Sequence, residues 1–168
     1  MSQIREKTRK ASPDNDNPAH AALGKFRIIV GAIRQHFREV EKACGVSGAQ
    51  VWVLATLEES PGLRVTELAE ALSIHASTAS NLLDKIEKSG LIRRERGTQD
   101  QRVVRLFLTE AGEAALAAAP KPFTGVLPHA LAQLPPETLA RLSQDLDTLI
   151  GFMDLTNSKD AQRPLSEL

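Results

Sequence analysis

The sequence predicts a mainly α-helical protein that contains one small antiparallel β-hairpin. Along most of the chain, apolar residues recur at intervals of three and four, which is the spacing of one face of an α-helix. The stretch from Leu91 to Leu108 differs, because two short apolar-rich segments flank a polar loop that contains glycine, a pattern typical of a hairpin. We therefore expect helices on both sides of a single hairpin.

The composition predicts a globular, cytoplasmic protein. Of the 168 residues, 42% are hydrophobic and 25% are charged, as in folded domains, and no apolar run approaches the roughly 20 residues that cross a bilayer. The formal net charge is zero, but the stretch from Arg64 to Arg105 holds eight basic residues against six acidic ones, which permits a basic surface there. The single cysteine excludes an internal disulfide and indicates a reducing compartment.

The first helix is predicted within residues 19–46, after a mobile tail of residues 1–18. The helical pattern stops at Cys44, and the following Gly45 suits a helix C-terminus. The apolar residues of this segment form one narrow stripe: Leu23, Phe26, Val30, Ile33, Phe37 and Val40. Such a stripe is typical of a helix that packs against another helix.

Three further helices are predicted before the hairpin. Ser47 and Gln50 have the spacing of a capping box, in which each side chain bonds to the other residue's backbone amide, so the second helix begins there. The third helix is short and begins near Val65. The fourth runs from about Ala76 to Ser89. Its apolar face, at helical offsets, consists of Ala79, Leu82, Leu83 and Ile86.

The hairpin and the C-terminal third complete the predicted order of elements. The two strands are Leu91–Glu95 and Val103–Leu108, and Thr109 caps the helix that follows. Three prolines, each able to break or kink a helix, come next: Pro120, Pro122 and Pro128. The last helix starts at Pro135-Pro136 and repeats the narrow stripe with Leu139, Leu142, Leu146, Leu149 and Met153. We expect residues 157–168 to form a flexible polar tail.

The order of two short helices and a hairpin indicates a winged helix-turn-helix. Ser73-Ile74-His75 separates the third and fourth helices, and the hairpin follows directly. In this arrangement the second helix lies in the major groove of double-stranded DNA. The fourth helix carries hydroxyl and amide side chains that can reach base edges, and lysines that suit phosphates. An ordinary solvated polar face is the alternative, which the basic hairpin loop disfavours.

The same region resembles the MarR family of bacterial transcriptional regulators. The resemblance extends from about residue 20 to 154 and rests on these motifs: Val65–Ala69, Ser77–Glu87, Gly90–Arg94, Asp100–Arg102 and Leu106–Gly112. It implies a homodimer in which residues 19–46 and 110–156 are dimerisation helices and residues 47–109 form the DNA-binding domain. It also implies a regulator, most commonly a repressor, and not an enzyme. We find no catalytic motif in the sequence, in agreement with this implication.

The candidate DNA-binding residues lie on the fourth helix and the hairpin: His75, Ser77, Thr78, Ser80, Asn81, Lys85, Arg96, Thr98, Asp100 and Arg102. The resemblance implies that Arg102 enters the minor groove, whose concentrated negative potential attracts arginine, and that Asp100 holds the region of this arginine in place. A surface ion pair between Asp100 and Arg102 is the alternative.

Proteins that resemble this chain often bind small aromatic or phenolic anions between the dimer helices and the winged domain. The candidate lining residues are Arg34, Phe37, Trp52, Thr56 and Phe123; plain core packing is the alternative for Phe37 and Trp52. Redox sensing through Cys44 and a winged module that binds only proteins are alternative functions. The four histidines lack the spacing of metal ligands, so we expect no metal or other cofactor.

Overall fold

The computed structural model describes residues 17–96, 103–153 and 163–165. The elements in these ranges follow in the order α1 (Pro18–Cys44), α2 (Gly48–Glu59), α3 (Val65–Ala71), α4 (Ala76–Lys88), β1 (Ile92–Arg96), β2 (Val104–Leu108), α5 (Glu110–Ala118), α6 (Val126–Ala132) and α7 (Pro136–Phe152). The two strands form one antiparallel sheet, so the predicted fold class is confirmed. None of the helices in the described ranges combines the length and the hydrophobicity that a membrane crossing requires.

Local capping interactions fix where the first helices begin. At the start of α2, the Ser47 amide donates to Gln50 Oε1 over 2.8 Å, and the Gln50 amide donates to Ser47 Oγ over 3.3 Å, which confirms the capping box. Helix α1 begins at Pro18, one residue before the predicted boundary. The fixed φ of proline suits this first helical position, and Asn17 Oδ1 accepts from the Ala19 amide at 2.9 Å.

Helix α3 begins with a charged cap. The Arg64 amide donates to Glu67 Oε2 at 2.8 Å, and Arg64 Nε donates to Glu67 Oε1 at 3.1 Å. The backbone hydrogen bond is the main cause that lowers the pKa of Glu67 below its ordinary value, and the charge of Arg64 acts in the same direction. The contribution of this cap to stability is therefore present at neutral pH and is lost as the pH falls through the lowered pKa.

Helix α2 lies at the centre of the core. Its Val51, Val53 and Leu54 are fully buried, and it contacts α1, α3, α4, α5 and β2. The buried residues of α4 are Ala79, Leu82, Leu83 and Ile86, which confirms the predicted apolar face. Because this face packs into the same core as α2, the opposite face of α4 faces solvent.

The hairpin is joined to the body by a short pairing that the sequence analysis missed. Its register pairs Ile92 with Leu108 and Arg96 with Val104. On the other edge of β2, the Gly62 amide donates to the Leu106 carbonyl at 2.8 Å, and the Leu106 amide donates to the Leu63 carbonyl at 3.0 Å. The segment before α3 is thus held against β2 like a short third strand.

The helix after the hairpin is interrupted, as the prolines predicted. Thr109 caps α5 by accepting from the Gly112 amide at 3.1 Å, and α5 ends at Ala118. Pro128 does not break a helix, contrary to the expectation, because it lies in the first turn of α6. In a first turn the backbone N–H has no partner within the helix, so its absence costs nothing there.

Helices α1 and α7 leave large apolar side chains exposed. On α1, Leu23, Phe26 and Val30 are 40–46% exposed, whereas Val40 near the end of the same stripe is buried. On α7, Leu146 and Leu149 are 36–40% exposed, and no residue of that helix is buried within the described structure. The stripe of α7 and the N-terminal part of the stripe of α1 therefore form apolar faces that the described part of the chain does not cover.

The last described residues, 163–165, differ from the flexible tail predicted for residues 157–168. Pro164 is buried, and Pro164 and Leu165 line a cavity together with Ile33 and Trp52. The expectation rested on the polar character of the whole segment, whereas these two residues carry apolar side chains that can pack against the body.

We expect Gly112→Ala to destabilise the protein by about 1–3 kcal/mol, because overpacking a closely packed site forces backbone shifts. A Cβ at this position would lie 2.0 Å from the Leu91 carbonyl oxygen. Urea unfolding measures the change. The matched control is Gly31→Ala in α1, where a Cβ would have no neighbour within 4 Å; it should stabilise the helix by about 0.5–1 kcal/mol. Equal effects of the two substitutions would contradict this packing.

Candidate nucleic-acid interface

The exposed face of α4 carries most of the candidate DNA-binding residues. His75 is the N-cap residue of α4, and its side chain makes no capping hydrogen bond. Ser77, Asn81 and Lys85 are exposed, while Thr78 and Ser80 are half-buried. The structure therefore brings these six predicted residues together on or beside one helix. They lie on the side of α4 that is not packed into the core.

An open groove runs along this polar face. Thr78, Asn81 and Lys85 line it, together with Asp84, Lys88 and Arg163. The five α4 residues among these are linked by steps of three and four positions along the helix, so their side chains lie on one side of it. Arg163, which comes from the C-terminal end of the chain, was not among the predicted residues. The polar character of the C-terminal sequence did not indicate that Arg163 would lie beside α4.

Asp84 joins α4 to the hairpin. Arg94 Nη2 donates to Asp84 Oδ1 at 2.6 Å, and Arg94 Nη1 lies 3.4 Å from Glu87 Oε2. One guanidinium thus joins β1 to two successive turns of α4. Because these side chains are partly exposed, the pair contributes little to overall stability. Its effect is to fix the hairpin relative to the polar face of α4.

A second arginine of β1 makes its contacts within the hairpin. The guanidinium of Arg93 lies 5.1 Å from the centre of the Phe107 ring, Arg93 Nε donates to Glu95 Oε1 at 2.8 Å, and Arg93 Nη1 donates to the Leu108 carbonyl. Arg96, at the end of β1, is exposed. The other three predicted hairpin residues, Thr98, Asp100 and Arg102, lie outside the described residues.

Two cavities adjoin Trp52, away from α4. The first is a partly open pocket between α1, α2 and the start of α6, and Phe37 and Trp52 line it; its empty space of about 380 Å³ includes open solvent. The second is also partly open, with about 470 Å³ of empty space that includes open solvent, and Trp52, Thr56 and Phe123 line it. Four of the five predicted ligand-binding residues are thus brought together around Trp52.

Arg34, the fifth of these residues, lines neither cavity. Arg34 lies on an exposed side of α1, so the predicted pairing of a cation with aromatic rings stays a prediction at this position. The titratable side chains that line the cavities instead are His36, which is only 5% exposed, and His129 with Glu59. His36 could have been found from the sequence, since it follows Ile33 by three residues on the same helix face.

Cys44 is half-buried at the end of α1. Its Sγ donates to the Val40 carbonyl at 3.0 Å, within the same helix. Within the described ranges, no three His, Cys, Asp or Glu side chains are grouped closely enough to hold a metal ion.

Comparisons with known proteins cover the winged region and, for some relatives, most of the chain. A model described as the MarR family matches residues 46–104. The transcriptional repressor MdtR of Bacillus subtilis is 39% identical over 88 residues, which cover 52% of this chain and 57% of MdtR, so the chain spans little more than half the length of that relative. The homoprotocatechuate degradative operon repressor of Escherichia coli is 26% identical over 133 residues, which cover 79% of this chain and 88% of the repressor.

A solved structure agrees with the fold over most of the chain. A mutant of S. aureus MepR bound to an oligodeoxyribonucleotide superposes with a TM-score of 0.51 at 25% identity, and the match covers 80% of this chain and 98% of the MepR chain. The winged helix-turn-helix and the flanking helices described above therefore have a solved counterpart that is bound to DNA.

Proposed function

We propose that the chain is a member of the MarR family, whose model matches residues 46–104, and that it is a cytoplasmic transcriptional regulator, not an enzyme, that binds double-stranded DNA. The observation that carries this proposal is the polar face of α4, on which Ser77, Asn81 and Lys85 are exposed while the opposite face is buried in the core. A helix held in this way beside a hairpin suits the major groove. The MepR structure with bound DNA supports the proposal.

The proposed contacts divide between bases and phosphates. Ser77, Thr78 and Asn81 lie in the first half of α4, where short polar side chains approach base edges, and Lys85 lies one turn further on, toward the phosphates. His75 and Ser80 flank this surface. On the hairpin, we assign phosphate and minor-groove contacts to Arg96, Thr98 and Arg102, with Asp100 positioning the last of these.

We propose that two copies of the chain bind DNA as a homodimer. The uncovered apolar faces of α1 and α7 support this, because two faces of this kind exceed what a small monomer usually leaves in water. Paired chains would present two α4 helices to two major grooves, and the operator would then show the same two-fold symmetry.

We propose further that the protein is a repressor released by a small aromatic acid. The cavities on either side of Trp52 are lined by aromatic and apolar side chains together with the Thr56 hydroxyl, two histidines, His36 and His129, and the Glu59 carboxylate. The imidazole N–H groups can donate to a carboxylate of a ligand, at a position away from Glu59. Such a lining suits a ring that carries one anionic group. The Escherichia coli relative represses an operon for the degradation of an aromatic compound, homoprotocatechuate, which supports this ligand class.

The first prediction for this function separates phosphate contacts from base contacts. Lys85→Ala should lower the slope of log affinity against log salt by about 0.9 for each subunit, because one phosphate contact is lost on any sequence. Asn81→Ala should cost about 1–3 kcal/mol on the cognate duplex only, because a base contact is lost. Fluorescence anisotropy titrations with DNA from the gene's own upstream region, at several salt concentrations, measure both.

The matched control for these titrations is Lys25→Ala, which removes an exposed lysine from α1 and should change neither the slope nor the cognate preference. If Lys85→Ala and Asn81→Ala behave like this control, α4 is not the helix that contacts DNA.

Leu146→Arg should convert the protein to monomers at micromolar concentration, because it places a charge in the uncovered apolar face of α7. Sedimentation velocity measures the change. Gln144→Arg introduces the same charge two residues away, on the opposite side of α7, and should leave the dimer intact. A monomeric wild-type protein, or a dimeric Leu146→Arg variant, would show that these faces serve another purpose.

Salicylate and benzoate should quench the fluorescence of Trp52, the single tryptophan of the chain, and should weaken operator binding by about 5- to 150-fold, the usual range of such coupling. Acetate, which has the same charge but no ring, is the matched control and should do neither. If neither the Trp52 fluorescence nor the affinity for the operator changes with any aromatic acid, the proposal of an aromatic acid as the ligand is wrong.

A further inference from the structure

His36 is a polar side chain that is buried in the wall of the first cavity beside Trp52. It lies in the C-terminal half of α1 and is only 5% exposed, and within the described ranges it is the one polar or charged residue of the buried class. Ile33 and Phe37 of the same helix and Trp52 of α2 line the cavity with it. Because buried polar groups in proteins are normally hydrogen-bonded, the partner of this imidazole has to be identified.

The imidazole of His36 makes no hydrogen bond to the part of the chain that the structure describes. Its contact is with the Phe37 ring, whose centre lies 6.1 Å away at a tilt of 52°. Among the described residues, no side-chain nitrogen or oxygen is both sealed from solvent and without a hydrogen bond. The ring nitrogens of His36 therefore reach open space, and the open space beside His36 is the first cavity.

The wall around His36 is already formed. The Phe37 ring packs against the start of α2 at Gly48, where a Cβ would lie 2.5 Å from Phe37 Cδ1. Pro164 and Leu165 are also part of the wall, and the empty space of the cavity exists with them in place. A ligand can therefore enter without displacing any residue, as is usual for small-molecule sites.

The lining of this cavity contains no charged partner for a carboxylate. Of the described residues that line it, none is lysine, arginine, aspartate or glutamate. Besides His36, the polar side-chain groups are the indole N–H of Trp52 and the hydroxyl of Thr124, which is an exposed residue. Transfer of a carboxylate from water to a buried position without a charged partner is costly. The buried end of the cavity therefore suits an uncharged polar group.

A hydroxyl group matches the imidazole in either of its neutral forms. A neutral imidazole has one nitrogen that donates and one that accepts, whereas a hydroxyl both donates and accepts. A hydroxyl can therefore pair with whichever nitrogen of His36 faces the cavity, but a carboxylate can pair only with the N–H. Phe37 and Trp52, in the same lining, offer aromatic surface against which a ring can pack.

We propose that His36 binds a phenolic hydroxyl in the first cavity, and that the ligand is an aromatic acid with this hydroxyl opposite its carboxylate across the ring. The hydroxyl then reaches His36, while the carboxylate remains in the part of the cavity that is open to solvent. A hydroxyl beside the carboxylate, as in salicylate, does not allow this, because both groups would have to enter together. The inference rests on the proposed function for the carboxylate, but not for the hydroxyl.

Isothermal titration calorimetry of the full-length wild-type protein tests this with 4-hydroxybenzoate, salicylate, benzoate and phenol. We expect 4-hydroxybenzoate to bind about 3- to 10-fold more tightly than the other two acids, the usual effect of one hydrogen bond to a neutral group. Phenol, which has the hydroxyl but no carboxylate, should bind detectably.

The outcomes of this titration separate the inference from the proposed function. Equal affinities of the three acids would overturn the role of His36 and leave the aromatic acid as the proposed ligand. Binding of phenol alone would retain the hydroxyl site and show that the proposed acid is wrong. If none of the four compounds binds, the imidazole faces water only, and both proposals fail.

His36→Phe removes both ring nitrogens and keeps an aromatic ring, so this variant should bind 4-hydroxybenzoate no more tightly than benzoate. His36→Gln keeps a donor and an acceptor and should retain part of the preference. The matched control is His20→Phe, the same substitution at an exposed histidine of α1 that lines neither cavity, which should leave the preference unchanged. A full preference for 4-hydroxybenzoate in His36→Phe would overturn the proposed contact. The wild-type comparison does not depend on the folding of any variant.

Discussion

The burial of one face of α4 is the constraint on which the rest of the structure depends. Ala79, Leu82, Leu83 and Ile86 are 0–1% exposed in the shared core, and this fixes which side chains of α4 remain in water. The hairpin is held against the body by the backbone hydrogen bonds of Leu106 to Gly62 and Leu63, and the ion pair between Asp84 and Arg94 joins it to α4. Apolar burial and these hydrogen bonds together place the hairpin beside the polar face of α4.

A second constraint comes from what the chain leaves uncovered. The core around α2 accounts for the winged domain and the C-terminal half of α1, but the apolar faces near Phe26 and Leu146 have no partner in the described part of the chain. The breaks at Ala118 and Ala132 separate α5, α6 and α7, so α7 is placed apart from the core. Homodimerisation would cover these faces and would set the spacing between two copies of α4. The geometry of the dimer would therefore determine where the two helices contact DNA.

Much of this could be predicted from the sequence, because the decisive signals are local. The capping box of Ser47 and the apolar face of α4 depend on residues within one or two helical turns. The pairing of Gly62 and Leu63 with Leu106 could not be found in this way, since its hydrogen bonds join residues more than forty positions apart. For the same reason, the sequence pattern did not indicate that Arg34 would line neither cavity, or that Pro164 would be buried. Pro128 shows a different limit of sequence analysis. A proline breaks a helix in its interior but not in its first turn, and the identity of the residue does not tell where the helix begins.

These features lead to one central claim, that two copies of the chain place two α4 helices in major grooves on the same side of one duplex. Hydroxyl-radical footprinting of the wild-type protein on its own upstream DNA tests this most directly. The account predicts two equivalent protected stretches, related by two-fold symmetry, with centres separated by about one helical turn or a multiple of it, roughly 10 base pairs each. A single protected stretch without symmetry, or protection that is uniform along the duplex, would contradict it.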